Sequence, residues 1–455
     1  MGSDQMPKWV WLVLVVAHAL ALGWALYARA WDFPDSGRYS QAATNLRLHG
    51  ELYARPWPAS PPKGQAIQEF TIRPPGYPLA VMIFDKGQSE PVLLLLLQNL
   101  LSVLNLAVVL QWWGRRVRPT RRQWVGALAL LLTFPGQFIY ANAVMSELLL
   151  QAVVLVMVGA GLYFIETKAN KWWALACAAS AAALLIKPVF YPMAWVCAAA
   201  GVCAAWRWKR SLLALVGALP VLVVGLYMGW NWQRTGYFHF SSISEINLLH
   251  YNAAGVMRQV RGAQAEEQWV AAALRQADAQ PTFAARQTVI RRSATTVLRA
   301  NAGQYAVQHA VGMAAFFLDP GRFDISTFLR VAPPKGGGLL TQSRAGGLAR
   351  ALGQLPGALL VLLAFLALVN AGRLALAARG VWQLGRSVTP LRYGRWLAVG
   401  IIGYVALLTG PLGAARFMVP VWPLMLGLVL EGWVPGKSPE NSDAKEAPPV
   451  GEHQG

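Results

Sequence analysis

Directly after an apolar run, the stretch WDFPDSGRYSQAATNL (31–46) presents two carboxylates, Asp32 and Asp35, followed by Arg38 and Tyr39. A carboxylate here has two readings. It caps the helix that PDSGRYSQAATNLRLHG spells out, with Asp35 at its start, or it acts as a general base at the edge of a membrane. Groups able to hold an anion recur in comparable settings: Arg73 and Tyr77 in TIRPPGYPLAVM, Asn142 and Glu147 in YANAVMSELLL, Lys187 in LLIKPVFYP, and Arg416 in GAARFMVPVWPLM. Taken singly, Lys187 reads as a snorkelling lysine, and Arg73 and Arg416 as headgroup anchors. Glu147, entering an apolar segment, wants a cationic partner. Taken together, a carboxylate, several cations and aromatic rings suit a reaction on an anionic, lipid-linked substrate. The cations hold a phosphate and stabilise it as it leaves, while the carboxylate removes a proton from an incoming hydroxyl or amine.

The elements that must bring these groups together are membrane helices. The chain has 455 residues, 56% of them hydrophobic and only 13% charged, with a mean hydropathy of +0.39. That is too apolar for a soluble domain and points to an all-α polytopic membrane protein. The first apolar segment, about residues 9–28, approaches the roughly 20 residues needed to cross a bilayer. No small-residue cleavage site closes it, so it reads as a retained signal anchor. Nine further apolar windows lie at about 90–113, 123–140, 145–165, 172–186, 188–206, 211–232, 355–377, 395–412 and 415–433. With the N-terminus in the cytoplasm, ten spans place GRRVRPTRR (114–122), RWKR (207–210) and the basic segment 372–395 on the cytoplasmic side, and both termini with them. The formal net charge of +20 resides largely in such loops, which excludes a nucleic-acid partner as its explanation.

This topology divides the chain into spans one to seven with a first outer loop at 29–89 (1–232), a large outer loop (233–354), spans eight to ten (355–433) and a polar tail (434–455) expected to be disordered. In AARQTVIRRSATTVLRAN, Val289, Ile290, Ala294, Val297 and Leu298 share one helical face while Arg286, Arg291, Arg292 and Arg299 lie mostly off it. QYAVQHAVGMAAFFLDP is patterned similarly. Both are expected to lie on the membrane surface over the spans, and VAPPKGGGLLTQSRAGG reads as a mobile loop. Cys177, Cys197 and Cys203 are scattered through apolar segments and form no metal or redox motif. There is no internal repeat, GxxxxGK[ST], HExxH or GxSxG. The alternation leaves Asp35, Tyr39, Arg73, Tyr77, Asn142, Glu147, Lys187 and Arg416 at one outer level of the membrane.

In this order and placement, Asp35 with Tyr39 and Ala42, RPPGYPL (73–79), MSELLL (145–150), Lys187-Pro188 and ARFMVPVWPLM (415–425) resemble the GT-C superfamily of membrane glycosyltransferases. They are most similar to its family-39-like branch, which includes bacterial protein O-mannosyltransferases and the lipid A aminoarabinose transferase. NWQRTGYFHFSSISEINLLHYNAAG (231–255) is similar to the start of that branch's large outer loop. The resemblance covers roughly residues 8–433 and rests on the order of short motifs. It implies a GT-C-type fold and an inverting transferase in the bacterial inner membrane. Such an enzyme moves a sugar from a polyprenyl-phosphate carrier, such as undecaprenyl phosphate, to a lipid, glycan or protein acceptor on the periplasmic face.

The resemblance further implies Asp35 as the base, with Arg73, Lys187 and Arg416 near the lipid phosphate. Tyr39, Tyr77, Asn142 and Glu147 are then left to orient sugar or acceptor. Ser36 follows Asp35 where many protein O-mannosyltransferases carry Asp-Glu, which speaks against protein mannosylation and against a two-carboxylate metal site. No cofactor is expected; a divalent metal is left open but has no ligand cluster of recognisable spacing. The rival reading is a transporter or flippase of lipid-linked glycans, which needs similar cations but usually carries inverted repeats and midplane charges. A catalytically inactive assembly subunit is a third.

Overall fold

The computed structural model describes residues 6–85, 90–331, 356–385 and 391–434. The Pro/Gly-rich loop after Val331 and the polar tail after Val434 lie outside them. Among the described residues every regular element is helical. Helix α1 (Lys8–Ala28) leads into two short helices, α2 (Ser36–His49) and α3 (Gly76–Phe84). There follow α4 (Val92–Val117), α5 (Arg121–Leu132), α6 (Pro135–Ala141), α7 (Glu147–Thr167), α8 (Asn170–Ile186), α9 (Met193–Trp208), α10 (Leu212–Gly217) and α11 (Leu219–Thr235). A second group comprises α12 (Ile243–Asn247), a π turn (Leu248–Ala253), α13 (Ala254–Arg261), α14 (Ala263–Asp278), α15 (Phe283–Ala300), α16 (Ala302–Leu318) and α17 (Arg322–Phe328). The chain closes with α18 (Gly357–Gly385), α19 (Leu391–Thr409) and α20 (Trp422–Trp433), the last two joined by 3₁₀ turns at Gly410–Leu412 and Ala415–Val421.

Eight segments are long and apolar enough to cross a membrane, and nine if α5 and α6 form one span bent by 61°. The tenth expected span, α8, has 17 residues and falls short of that length. Both departures from ten regular spans trace to proline. Pro135 begins α6 and cannot donate to the helix before it. Pro188 forces Lys187 into an extended conformation, φ −145° and ψ 124°, and ends α8. Helices α1, α4, α7 and α9 each stop on a basic residue in the left-handed conformation, Arg29, Arg118, Lys168 and Lys209. A cation there complements the negative end of the helix dipole.

The spans are joined by polar groups as well as by apolar packing. Gln98, Asn99, Ser102 and Asn105 form a buried stripe on α4. Ser102 meets His18 of α1 at 2.7 Å, Gln137 of α6 donates to Ser102 at 2.6 Å, and Asn105 donates to Gln151 of α7 at 3.0 Å. Gln151 then reaches the Val419 carbonyl in the last 3₁₀ turn. The first three bonds tie helix to helix through side chains, and the last satisfies a backbone carbonyl in a 3₁₀ turn inside a low-dielectric bundle. Gly380 and Gly432 let α18 and α20 cross closely: a Cβ on Gly432 would collide with the Leu376 carbonyl.

The helices between α11 and α18 hold a small core of their own, Leu249, Ala253, Ala273, Ala277, Ile290 and Ala294, which draws α14 and α15 together with the π turn. Val289, Val297 and Leu298 flank that core, on the face expected for them. Arg286 departs from its expected outward placement. It is buried, and its Nε donates to Asp278 at 2.8 Å, a partner one helix earlier that makes burial tolerable.

Candidate active site

Four charged side chains of the site, Asp35, Arg73, Lys187 and Arg416, come from places where regular helix is interrupted near a proline, while Arg38 lies inside α2 and Glu147 opens α7. Asp35 follows Pro34 and begins α2 without capping it through its side chain. Arg73 precedes Pro74 and Pro75, in a turn that approaches the end of α8 so tightly that a Cβ on Gly76 would stand 2.8 Å from the Leu185 carbonyl. Glycine is therefore what lets Arg73 come near Lys187. Lys187 sits at the α8 break, and Arg416 in the irregular stretch between Pro411 and Pro420. Irregular backbone at this depth is tolerated where it lines a cavity.

These breaks surround a cavity of about 400 Å³. Arg73 Nη2 donates to Asp35 Oδ1 at 2.5 Å, and Arg416 Nη1 lies 3.6 Å from the other carboxylate oxygen. Lys187 Nζ donates to Glu147 Oε1 at 2.5 Å, while Oε2 of the fully buried Glu147 has no hydrogen-bond partner among the described residues. Aromatic rings lie under the cations. The Arg73 guanidinium is 4.9 Å from the centre of the Tyr39 ring; Lys187 and Arg416 are 5.5 and 4.8 Å from that of Phe417. Burial works to raise the Asp35 carboxyl, but Arg73, Arg416, Lys187 and Arg38 together outweigh it and hold the group below its ordinary value.

Of the eight residues expected to form a site, Asp35, Tyr39, Arg73, Glu147, Lys187 and Arg416 line this cavity. Tyr77 and Asn142 do not. Both are buried behind it and bonded to the α4 stripe, Tyr77 donating to Gln98 Oε1 at 2.8 Å and Asn142 accepting from Asn99 at 2.8 Å. Their place is to hold what lines it: Tyr77 packs edge-on against Tyr39 at 4.7 Å, and Asn142 anchors the turn before Glu147. Tyr39 also meets Ser146 at 3.3 Å. Asp32 is exposed, unlike its neighbour Asp35.

Other contributors escaped the sequence reading. Glu69, buried between α2 and α3, pairs with Arg38 on the cavity wall at 3.4 Å and with Arg55 at 3.3 Å. Ser244, Asn247 and Tyr251, from α12 and the π turn, form part of the cavity wall. They lie in a motif noted for its order, with no periodic or charge signal of their own. Behind Arg416, a second, water-sized space of about 10 Å³ is bordered by Asp319, Asp324 and Ala415. Asp324 accepts from the Tyr140 hydroxyl at 2.8 Å, and its carboxyl is pushed up to about 7, by burial first and by Asp319 as well, against the opposing effects of Tyr140 and Arg416. Among the described residues no three His, Cys, Asp or Glu side chains come together as a metal site would require.

No protein-family model matches the chain, and neither does any curated protein. Among solved structures it is similar to ArnT from Cupriavidus metallidurans in the apo state, at 16% identity and a TM-score of 0.35 over 93% of this chain and 77% of that one. The same protein bound to undecaprenyl phosphate aligns over the same shares, at 17% identity and a TM-score of 0.38.

Proposed function

We propose that this protein is a GT-C-type membrane glycosyltransferase that moves a sugar from a polyprenyl-phosphate carrier, with Asp35 as its base and Arg73, Arg416 and Lys187 as its phosphate site. The observation that carries the reading is the bridging of Asp35 between Arg73 and Arg416 on the wall of a ligand-sized cavity. With the site empty, those arginines hold Asp35 as a weak base. A donor phosphate competes for the same guanidinium groups, and as it takes them the carboxylate loses its cations and gains basicity. Asp35 then accepts the proton of the acceptor hydroxyl or amine, the acceptor atom bonds to the anomeric carbon from the side opposite the phosphate, and the C–O bond to the phosphate breaks with inversion.

The charge balance of the wall favours that direction. Four cations, Arg38, Arg73, Lys187 and Arg416, face two carboxylates, Asp35 and Glu147. A surplus of positive charge binds the phosphate more strongly as it leaves, because charge builds up on it when its ester bond breaks. The reading places the cavity on the periplasmic side of a bacterial inner membrane, with a lipid, glycan or protein as acceptor. In purified protein supplied with a polyprenyl-phosphate sugar, Asp35→Asn is expected to abolish transfer while leaving the fold intact. Near-normal turnover by that variant removes Asp35 from the role. A transporter of the same lipids would instead move the donor across vesicles without cleaving it, so product formation measured beside translocation separates the two.

A further inference from the structure

We propose that Tyr251 and Asn247 contact the sugar of the donor, and that Gln308, which does not itself line the cavity, is the positioning residue that holds them there. This rests on the glycosyltransferase reading and goes beyond it by naming the part of the wall that reads the sugar. The inference starts from the π turn at Leu248–Ala253. A π turn bonds residues five apart, which takes carbonyls out of the ordinary helical ladder. Side chains serve them instead. Asn252 Nδ2 donates to the Asn247 carbonyl at 2.9 Å, and Gln308 Nε2 donates to the carbonyls of Tyr251 and Asn252 at 2.8 and 3.3 Å. Gln308 is buried, and Gln259 donates to its Oε1 at 3.3 Å. Tyr305, one turn earlier on α16, donates to Asn252 Oδ1 at 3.0 Å. Gly255 makes room for this support, since a Cβ there would stand 2.5 Å from Gln308 Nε2. The next residue of α16, His309, meets the Leu407 carbonyl at 2.8 Å, just before Leu408 and Thr409 of the cavity wall. Helix α16 therefore ties two stretches of that wall together.

The side chains carried on this support are idle. Tyr251 and Asn247 line the cavity, and among the described residues neither makes a hydrogen bond within the protein or meets an aromatic ring. A backbone held this closely beneath two unengaged polar side chains is preorganised for a group that enters the cavity. The cations meet the phosphate, so the next group of the donor, its sugar, is what reaches the neutral wall. A phenol and an amide each donate and accept, as sugar hydroxyls do, and the flat face of a tyrosine suits the C–H face of a sugar ring. This contact holds whether or not the sugar also carries a charge.

The test is competitive binding to the full-length protein in lipid nanodiscs. The probes are undecaprenyl phosphate and its phosphodiesters with a hexose and with an amino-deoxypentose. The quantity read is the affinity for an ester divided by that for the bare carrier. In the parent protein at least one ester is expected to bind about tenfold more tightly than the carrier, by contacts to the sugar. Tyr251→Ala and Gln308→Met are each expected to lower that ratio about threefold, while affinity for the bare carrier changes less. Together they are expected to cost little more than either alone, because Gln308 acts through the residues it positions. Losses that multiply overturn the positioning role, and so does an equal weakening of carrier and ester by Gln308→Met, which a merely structural residue would give. Should Gln308→Met fail to fold, Tyr305→Phe takes its place, and a parental ratio in that variant counts against the support. A parent that binds the carrier but no ester more tightly overturns the inference and leaves the phosphate site standing. Failure to bind undecaprenyl phosphate at all removes the transferase reading.

Discussion

Two ends of the helical bundle bury carboxylates among cations, and one of them borders a cavity of about 400 Å³. At the cavity end, Asp35 lies between Arg73 and Arg416, and Glu147 bonds Lys187. At the other end, Glu431 of α20 lies 3.0 Å from Arg116 of α4 and 3.4 Å from Arg395 of α19. Arg395 is fourteen residues before Thr409 on the cavity wall, which at 1.5 Å per residue puts the two clusters about 20 Å apart along α19. The Glu431 cluster is built wholly from continuous helices, α4, α19 and α20. The Asp35 cluster is built from breaks, which hold the same groups apart. Three of the four cavity cations, Arg73, Lys187 and Arg416, also rest on aromatic rings, whereas among the described residues no ring lies under Arg116 or Arg395. A ring lets a cation keep a partner when its carboxylate turns to another task. Ion pairing alone therefore does not mark a functional site; accessible space and interrupted backbone do.

Replacing one carboxylate at each end is the sharpest way to break this comparison. Asp35→Asn is expected to lower transfer by about a thousandfold, the scale of losing a general base, with a stability loss smaller than at Glu431, because the cavity and the rings beside Arg73 and Arg416 leave those cations other partners. Glu431→Gln is expected to do the reverse. It strands the buried Arg395 and the half-buried Arg116, so stability falls by about 3 kcal/mol, while turnover per folded molecule stays within about twofold. Unfolding in detergent together with donor turnover reads both. If Asp35→Asn proves destabilising and still active, or Glu431→Gln stable and inactive, the two ends have been assigned the wrong way round.

The groups that the sequence made legible are those whose cost shows locally. A carboxylate or cation beside an apolar run is conspicuous in one dimension, and that is how Asp35, Arg73, Glu147, Lys187 and Arg416 stand out. Prolines at 34, 74, 135, 188 and 420 mark the breaks just as plainly. The windows for the spans follow from hydropathy alone, although Pro135 and Pro188 turn two of them into a bent pair and a short helix. Partnership across long separations is invisible in the same reading. Nothing near Arg38 announces Glu69, and nothing near Tyr140 announces Asp324, 184 residues later. Arg286 departs from its expected face for the same reason, since its partner Asp278 belongs to the preceding helix. The α4 stripe of Gln98, Asn99, Ser102 and Asn105 was readable, as polar residues at helical spacing inside a span. It explains why Tyr77 and Asn142 support the site from behind.

Asp324 extends the comparison to pH, because it is a carboxylate near the cavity whose proton affinity is raised while that of Asp35 is lowered. The folded protein holds a proton on Asp324 up to about pH 7, whereas the unfolded chain releases it near 3.8. The stabilisation is therefore complete below about pH 4 and is lost as pH rises through about 7. Asp324→Asn is expected to flatten that decline, so unfolding midpoints at pH 5 and pH 8 should draw together in the variant. Asp35 contributes in the opposite sense, with stability present above its ordinary value and lost as the solution becomes acid. A variant whose midpoints stay as far apart as those of the parent shows that Asp324 is already ionised in the fold.

The smallest effect separates ring from hydroxyl at Tyr39. Its ring lies under Arg73 and against Tyr77, and its hydroxyl makes only the 3.3 Å contact with Ser146. Tyr39→Phe keeps the ring and removes a long, neutral hydrogen bond, so undecaprenyl phosphate binding is expected to weaken by no more than about threefold. Tyr39→Leu removes the face on which the guanidinium rests and is expected to cost about tenfold. Both variants fill most of the same buried volume, which makes the difference between them a measure of the ring's electrostatic part. If the ring is what allows Arg73 to leave Asp35 for a phosphate, the gap between the two variants should appear in phosphate affinity and vanish in thermal stability. A gap in stability alone would make Tyr39 a packing residue, and the cavity end would then differ from the Glu431 end only in its space.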